Sequence, residues 1–230
     1  MSLDELMRHA RIWRGGELPP GTTQATGFAA LDAILPGQGW PQTGLTEIHA
    51  AATGIGALQL VLPALAALSR QGHWIVWINP PYQPHAPALS AQGLDLARLL
   101  VVDLPAQPGA ARDEMLWVYE QALRFTACGA ALAWFGHVPS LHLRRLQLAA
   151  EAGRTWGVAF RPVDTLEQAS PALLRLTLEA VANEIETGRP APIEITLLKA
   201  RGGRAGRRCR LKLDAAPQPG DDRLPAACRT

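Results

Sequence analysis

Residues 45–60, LTEIHAAATGIGALQL, place a short apolar strand, a small-residue turn and the start of an apolar helix in the order that a phosphate-binding loop uses. Such a loop reads G-x-x-x-x-G-K-[ST]. Its glycines let backbone N–H groups curl around phosphates, the lysine reaches the outer ones, and the hydroxyl holds Mg²⁺. Gly54 supplies the turn, but Gly56 and Ala57 stand where Lys and Ser/Thr belong. The chain has only two lysines, Lys199 and Lys212, and none precedes position 199. A lysine-bearing nucleotide loop is therefore excluded. Gly54, Gly56 and Ala57 are read as a degenerate phosphate loop that serves tight strand-to-helix packing, with no cofactor.

The other reactive side chains form no recognisable set. His49, His73, His85, His137 and His142 lack H-x₃-H or H-E-x-x-H spacing, so no metal is expected. Ser140 and Ser170 lack a G-x-S-x-G elbow. Cys128, Cys209 and Cys228 are too few and too scattered for a disulfide framework or a zinc site. Charge does stand out. Residues 1–198 carry a net charge of −4, whereas residues 199–230 carry +6. Within KARGGRAGRRCRLK, the residues Lys199, Arg201, Arg204, Arg207, Arg208, Arg210 and Lys212 have no acid nearby in sequence. On a glycine-hinged hairpin this cluster is expected to contact single-stranded DNA or an acidic partner surface.

The elements that must position these residues follow from periodicity. SLDELMRHARIW opens with a capping box, Ser2 to Glu5, and predicts a short amphipathic helix within residues 1–15, on a Gly/Pro linker over 16–25. A capped helix is expected over GFAALDAIL, then a first core strand over Leu45–His49. The chain then alternates: a helix over 57–71, the strand HWIVWIN, a short helix near Leu89, the strand LLVVDL, a helix over 111–127, the run AALAWF, a helix over 141–155 and the strand WGVAFRP. This alternation predicts an α/β fold built on a parallel sheet. LLRLTLEAV, IEITLLKA and RCRLKL are expected to add antiparallel strands, and residues 214–230 a disordered tail. Trp74, Trp77, Trp117, Trp134 and Trp156 fall on core-facing elements, whereas Trp13 and Trp40 sit in Gly/Pro-rich segments that pack less easily. No window reaches the length of a membrane span, and the expected compartment is the cytoplasm.

TGFAALDAILPGQGWPQTGLTEIHA, the Gly-rich turn, GHWIVWINPP, GLDLARLLVVDLP and AALAWF resemble, in order and spacing, the core of the RecA recombinase family over residues 26–213. More narrowly, LPGQGWP, RRLQLAAEAG and LLKARGG resemble the ImuA family of translesion-synthesis accessory proteins. The resemblance implies a RecA-like core with a degenerate P-loop. Pro80, Pro81 and Tyr82 stand where the recombinases carry a catalytic Glu, Phe135, Gly136 and His137 where they carry the Mg²⁺ acid, and Arg161 and Pro162 where they carry a polar sensor. It further implies a non-catalytic pseudo-ATPase of SOS mutagenesis, nucleoid-associated when active. That protein would scaffold a catalytically inactive Y-family polymerase homologue of the ImuB type, an error-prone replicative-type polymerase and RecA, with single-stranded DNA left to the arginine cluster. The leading helix, through Leu3, Leu6 and Trp13, would dock on a partner as recombinase leading helices do. A SulA-type inhibitor of the division tubulin resembles the same core and is the alternative, as is a DNA-binding module using the arginine cluster.

Overall fold

The computed structural model describes residues 23–52, 54–104, 111–181 and 192–213. Leu3, Leu6, Trp13 and residues 214–230 lie outside the described residues. The short strands β1 (Thr23–Gln24) and β2 (Trp40–Pro41) pair with each other. Between them lies the single turn α1 (Ala29–Asp32). GFAALDAIL thus yields one turn where a longer helix was expected, because Pro36 and Gly37 follow at once and Gly37 adopts a left-handed φ of 66°.

The main sheet comprises β3 (Gly44–Ala50), β4 (Trp74–Ile78), β5 (Leu99–Val102), β6 (Cys128–Trp134), β7 (Trp156–Pro162), β8 (Leu174–Ala180), β9 (Ile193–Ala200) and β10 (Arg208–Leu211). Its order is β10-β9-β8-β3-β7-β6-β4-β5. The strands from β5 to β8 run parallel to their neighbours, while β9 and β10 are antiparallel additions. β8 departs from expectation: it pairs parallel to β3 from Thr46↔Leu174 onward, and only its other edge is antiparallel.

α2 (Ala57–Arg70) and α3 (Ala86–Ala91) lie in the crossovers from β3 to β4 and from β4 to β5, while α4 (Ala111–Arg124) and α5 (Ser140–Gly153) follow β5 and β6. The sheet splits the core into two layers, as the period of two along a strand requires. Ile48, Trp77, Val158 and Leu176 pack with Leu60, Val61 and Leu65 of α2. Leu45, Val76, Ala131 and Ala159 pack with Tyr119 and Leu123 of α4 and with Leu143 and Leu146 of α5. Trp40, expected to pack poorly, is fully buried and stacks on Trp156 with ring centroids 5.5 Å apart.

α4 and α5 approach so closely that a Cβ at Gly153 would lie 2.0 Å from the Leu123 carbonyl oxygen. Because the obstacle is backbone, the helices must separate to relieve it. Gly153→Ala is accordingly expected to cost about 1–3 kcal/mol, read as a lower urea midpoint at unchanged slope.

The RecA-like P-loop core expected over 26–213 is corrected here to a mixed α/β sheet with helices. Alternating strands and helices are common to many α/β folds, and the features that would single out a P-loop are chemical. The turn before α2 has none of them. Its N-cap, Gly56, sits at φ 96° with no side-chain cap, and a Cβ there would lie 2.3 Å from the Leu213 side chain, so the glycine answers to packing.

Candidate functional site

Three features stand out from this scaffold: a buried charge cluster on β3, a cavity at the carboxyl ends of the parallel strands, and exposed large apolar side chains on α4 and α5.

The cluster begins with Glu47 and His49 in LTEIHA. Thr46 and Ile48 face α2, so the alternation turns Leu45, Glu47 and His49 toward the α4/α5 layer. Parallel register sets Arg175 of β8 opposite Glu47, and Arg161 of β7 opposite His49. The Glu47 carboxylate accepts from Arg161 Nη1 at 3.1 Å, Arg175 Nε at 2.8 Å and Ser170 Oγ at 2.7 Å, with His49 Nε2 at 3.3 Å. Burial alone pushes the Glu47 pKa up. The His49 and Ser170 hydrogen bonds and the two guanidinium groups outweigh it and bring the value down to about 2. Burial lowers the Arg161 pKa from its ordinary value, and Glu47 opposes that shift.

Thr165 Oγ1 lies 3.2 Å from His49 Nδ1, so Thr165, His49 and Glu47 line up like a proton relay. Relay chemistry needs substrate access. Thr165 instead donates to the Pro162 carbonyl at 2.7 Å, and all three side chains are buried. The cluster works as a clamp that fixes β3 between β7 and β8. Sequence reasoning missed it, although an acid and a histidine at alternate positions of an apolar strand, with arginines in two later strands, were visible signals.

The cavity, about 650 Å³, opens where the degenerate loop stands. Gly54, Gly56 and Ala57 border it, and Trp77, Trp134 and Phe160 supply its apolar wall. Pro81, Tyr82, Phe135, Gly136 and Arg161, at the places where recombinase catalytic groups were sought, line it too. Trp134 and Phe160 stack at 4.7 Å.

The third feature is a correction. Trp117, expected in the core, is 59% exposed. Met115, Leu116, Tyr119 and Leu123 form the buried stripe of α4, and Trp117 falls outside it, as 3.6-residue spacing from those positions would have indicated. Leu141 and Leu148, two turns apart on α5, are likewise exposed, at 68% and 54%. Trp117 shares a cleft of about 300 Å³ with His142 and Arg145. Glu120 at its floor accepts from Arg124 Nη2 at 3.0 Å and Arg145 Nη2 at 2.6 Å, tying the two helices together.

The basic cluster lies on β9, β10 and their connection. Its charge is partly paired: Arg208 Nη1 and Arg210 Nε lie 3.5 and 3.1 Å from the Glu194 carboxylate, and Arg201 Nη1 lies 3.8 Å from that of Glu151. Arg207 Nη1 donates to the Ile34 carbonyl at 3.3 Å, and Lys199 Nζ donates to that of Ser170 at 2.7 Å. Arg204 and Lys212 are exposed. Among the described residues no helix is long and apolar enough to cross a membrane.

Comparison with known proteins matches residues 45–157 to the family described as Cell division inhibitor SulA. The SulA of Edwardsiella piscicida is 31% identical over 127 residues, covering 53% of this chain and 70% of that protein. The SulA of Yersinia enterocolitica is 28% identical over 120 residues, covering 51% and 68%. That of Pectobacterium carotovorum is 32% identical over 107 residues, covering 46% and 61%. These matches overturn the ImuA assignment and the translesion-synthesis function drawn from it. The pseudo-ATPase description falls too, as do the partners: the Y-family polymerase homologue, the error-prone replicative-type polymerase, RecA and single-stranded DNA. LPGQGWP and LLKARGG, which carried much of the ImuA resemblance, lie outside the matched segment, which instead holds the degenerate loop, Trp77 and Trp134 of the cavity's wall, α4 and α5. On that likeness, the chain belongs to the family of the cell division inhibitor SulA.

Proposed function

We propose that this chain arrests cell division in the SOS response by binding the division tubulin in the cytoplasm, through the exposed face of α4 and α5, and that it acts by occupancy without chemistry of its own. One observation carries the choice of surface: Trp117, Leu141 and Leu148 stand exposed on two helices inside the segment that matches the division inhibitors. An exposed tryptophan that shares a cleft with an arginine, with exposed leucines on the neighbouring helix, has the composition of a protein-binding hot spot. The arginines of β9 and β10 lie beyond that segment.

Expression of the chain from an inducible promoter in a rod-shaped bacterium tests the reading. Cells should continue to grow and segregate DNA yet fail to septate, forming smooth filaments. Normal division at high expression, with soluble protein present, would contradict it.

A further inference from the structure

The side chains that stand out from α5 are not apolar alone. Leu141, Arg144, Arg145 and Leu148 are spaced i, i+3, i+4 and i+7, which sets them along one side of the helix, and all four are exposed. Leu143, Leu146, Ala149 and Ala150 form the buried stripe opposite. Helical spacing puts the two leucines at the centre of the exposed side and an arginine on each flank. Arg145 is the one turned toward α4, where its Nη2 meets Glu120 at 2.6 Å.

Little negative charge is left to neutralise this side. Glu120 is shared by Arg124 and Arg145, so that trio keeps one positive charge in excess. Glu151 is the one acid of α5, and it already accepts from Gln147 Nε2 at 2.9 Å and lies 3.8 Å from Arg201 Nη1. Arg144 makes no hydrogen bond or ion pair among the described residues. Its guanidinium is therefore not spent on holding the fold together. Arginine is also the cation best suited to a contact surface, because its planar group is weakly hydrated and pairs with a carboxylate through two parallel hydrogen bonds.

We infer that the partner surface met by α5 is acidic at its rim and apolar at its centre, with carboxylates facing Arg144 and Arg145 around the seats of Leu141 and Leu148, an inference that rests on the reading of α4 and α5 as the docking face. The two kinds of side chain then divide the labour. Trp117 and the leucines hold the complex once it has formed, whereas the arginines attract the partner and speed the encounter. Arg145 already has Glu120, so most of the attraction falls to Arg144.

Association and dissociation rates of the full chain with the purified division tubulin, read by biolayer interferometry at about 0.05 M and about 0.5 M salt, test this. At low salt Arg144→Glu should slow association about tenfold and change dissociation less than about threefold, and the difference should shrink at high salt, where exposed charges are screened. Arg144→Lys keeps the charge and should associate within about twofold of wild type. Arg204→Glu makes the same change in net charge on the β9–β10 hairpin and should also stay within about twofold. Arg144 is exposed, so its variants should melt as wild type does. Trp117→Ala should act on dissociation instead. Weaker binding by Trp117→Ala together with undiminished association of Arg144→Glu at low salt would overturn the inference and leave the docking face standing. Equal slowing by Arg144→Glu and Arg204→Glu would overturn it as well, by tracing the effect to net charge. Wild-type kinetics in both Trp117→Ala and Arg144→Glu would remove the docking face and the inference together.

Discussion

Replacing Glu47 with Ala is expected to lower the unfolding free energy by about 3–5 kcal/mol, because it strands the Arg161 guanidinium in the protein interior. Arg161 is 2% exposed and lies within hydrogen-bonding distance of Glu47, while Arg175, on the opposite neighbouring strand, loses the same partner. Glu47→Gln keeps the shape and two hydrogen-bonding atoms but not the charge, and should fall between wild type and Glu47→Ala. Chemical denaturation of the three proteins at neutral pH gives the ranking. The same clamp sets an acid limit. A carboxyl whose pKa falls from 4.5 unfolded to about 2 folded contributes stability that is fully present above about pH 4.5 and is lost as pH drops toward 2. The span amounts to about 3 kcal/mol. Glu47→Gln should flatten the stability profile across that window. A profile as steep as that of wild type would show that the acid sensitivity arises elsewhere.

The second large effect is on binding. Trp117→Ala is expected to weaken association with the division tubulin about thirtyfold or more, the usual consequence of truncating a hot-spot tryptophan. Leu141→Ser together with Leu148→Ser should weaken it further. None of the three side chains is in the core, so each variant should melt within a few degrees of wild type. That separation of binding from stability distinguishes a docking face from a structural one. Arg204→Ala, on the β9–β10 hairpin beyond the matched segment, serves as the control and should bind as wild type does. Pull-down or biolayer interferometry with the purified partner reads the whole series. Undiminished binding by the triple variant would move the interface off α4 and α5.

Much of the scaffold could be read from periodicity, because a strand buried on both faces and a helix with one apolar stripe leave distinct patterns. HWIVWIN and AALAWF could hardly be anything but buried strands, and residues 57–71 carried an evident helix. Three things were harder. Trp117 was assigned to the core by its type, although its spacing from Met115, Tyr119 and Leu123 places it outside their stripe. Trp40 was judged poorly packed from its Gly/Pro-rich neighbours, whereas the turn they form carries it beneath β7 and onto Trp156. The Glu47 cluster required residues more than 100 positions apart to meet, and only the register of β3 with β7 and β8 brings them together. The family assignment failed for a related reason: order and spacing of strands are shared widely among α/β proteins, and the matched residues, Leu45 to Gly157, exclude LPGQGWP and LLKARGG, on which the narrower ImuA resemblance leaned.

The missing nucleotide chemistry also has a consistent physical reading. The turn at Gly54 and Gly56 keeps the backbone bend of a phosphate loop, while the space it borders is walled by tryptophan and phenylalanine, and the Arg161 guanidinium beside it is turned to Glu47. A highly charged phosphate would lose its hydration there with too little in return. Inhibition by binding needs none of that chemistry, and an exposed aromatic face on a rigid helix pair is enough for it.

The most direct measurement is sedimentation and light scattering of the purified division tubulin polymerising with GTP, with this chain added at increasing ratios. Pelleted polymer and scattering should fall as the chain approaches about equimolar amounts, and the Trp117→Ala variant should require about thirtyfold more for the same effect. Polymer mass that stays unchanged in the presence of excess folded chain would contradict the account.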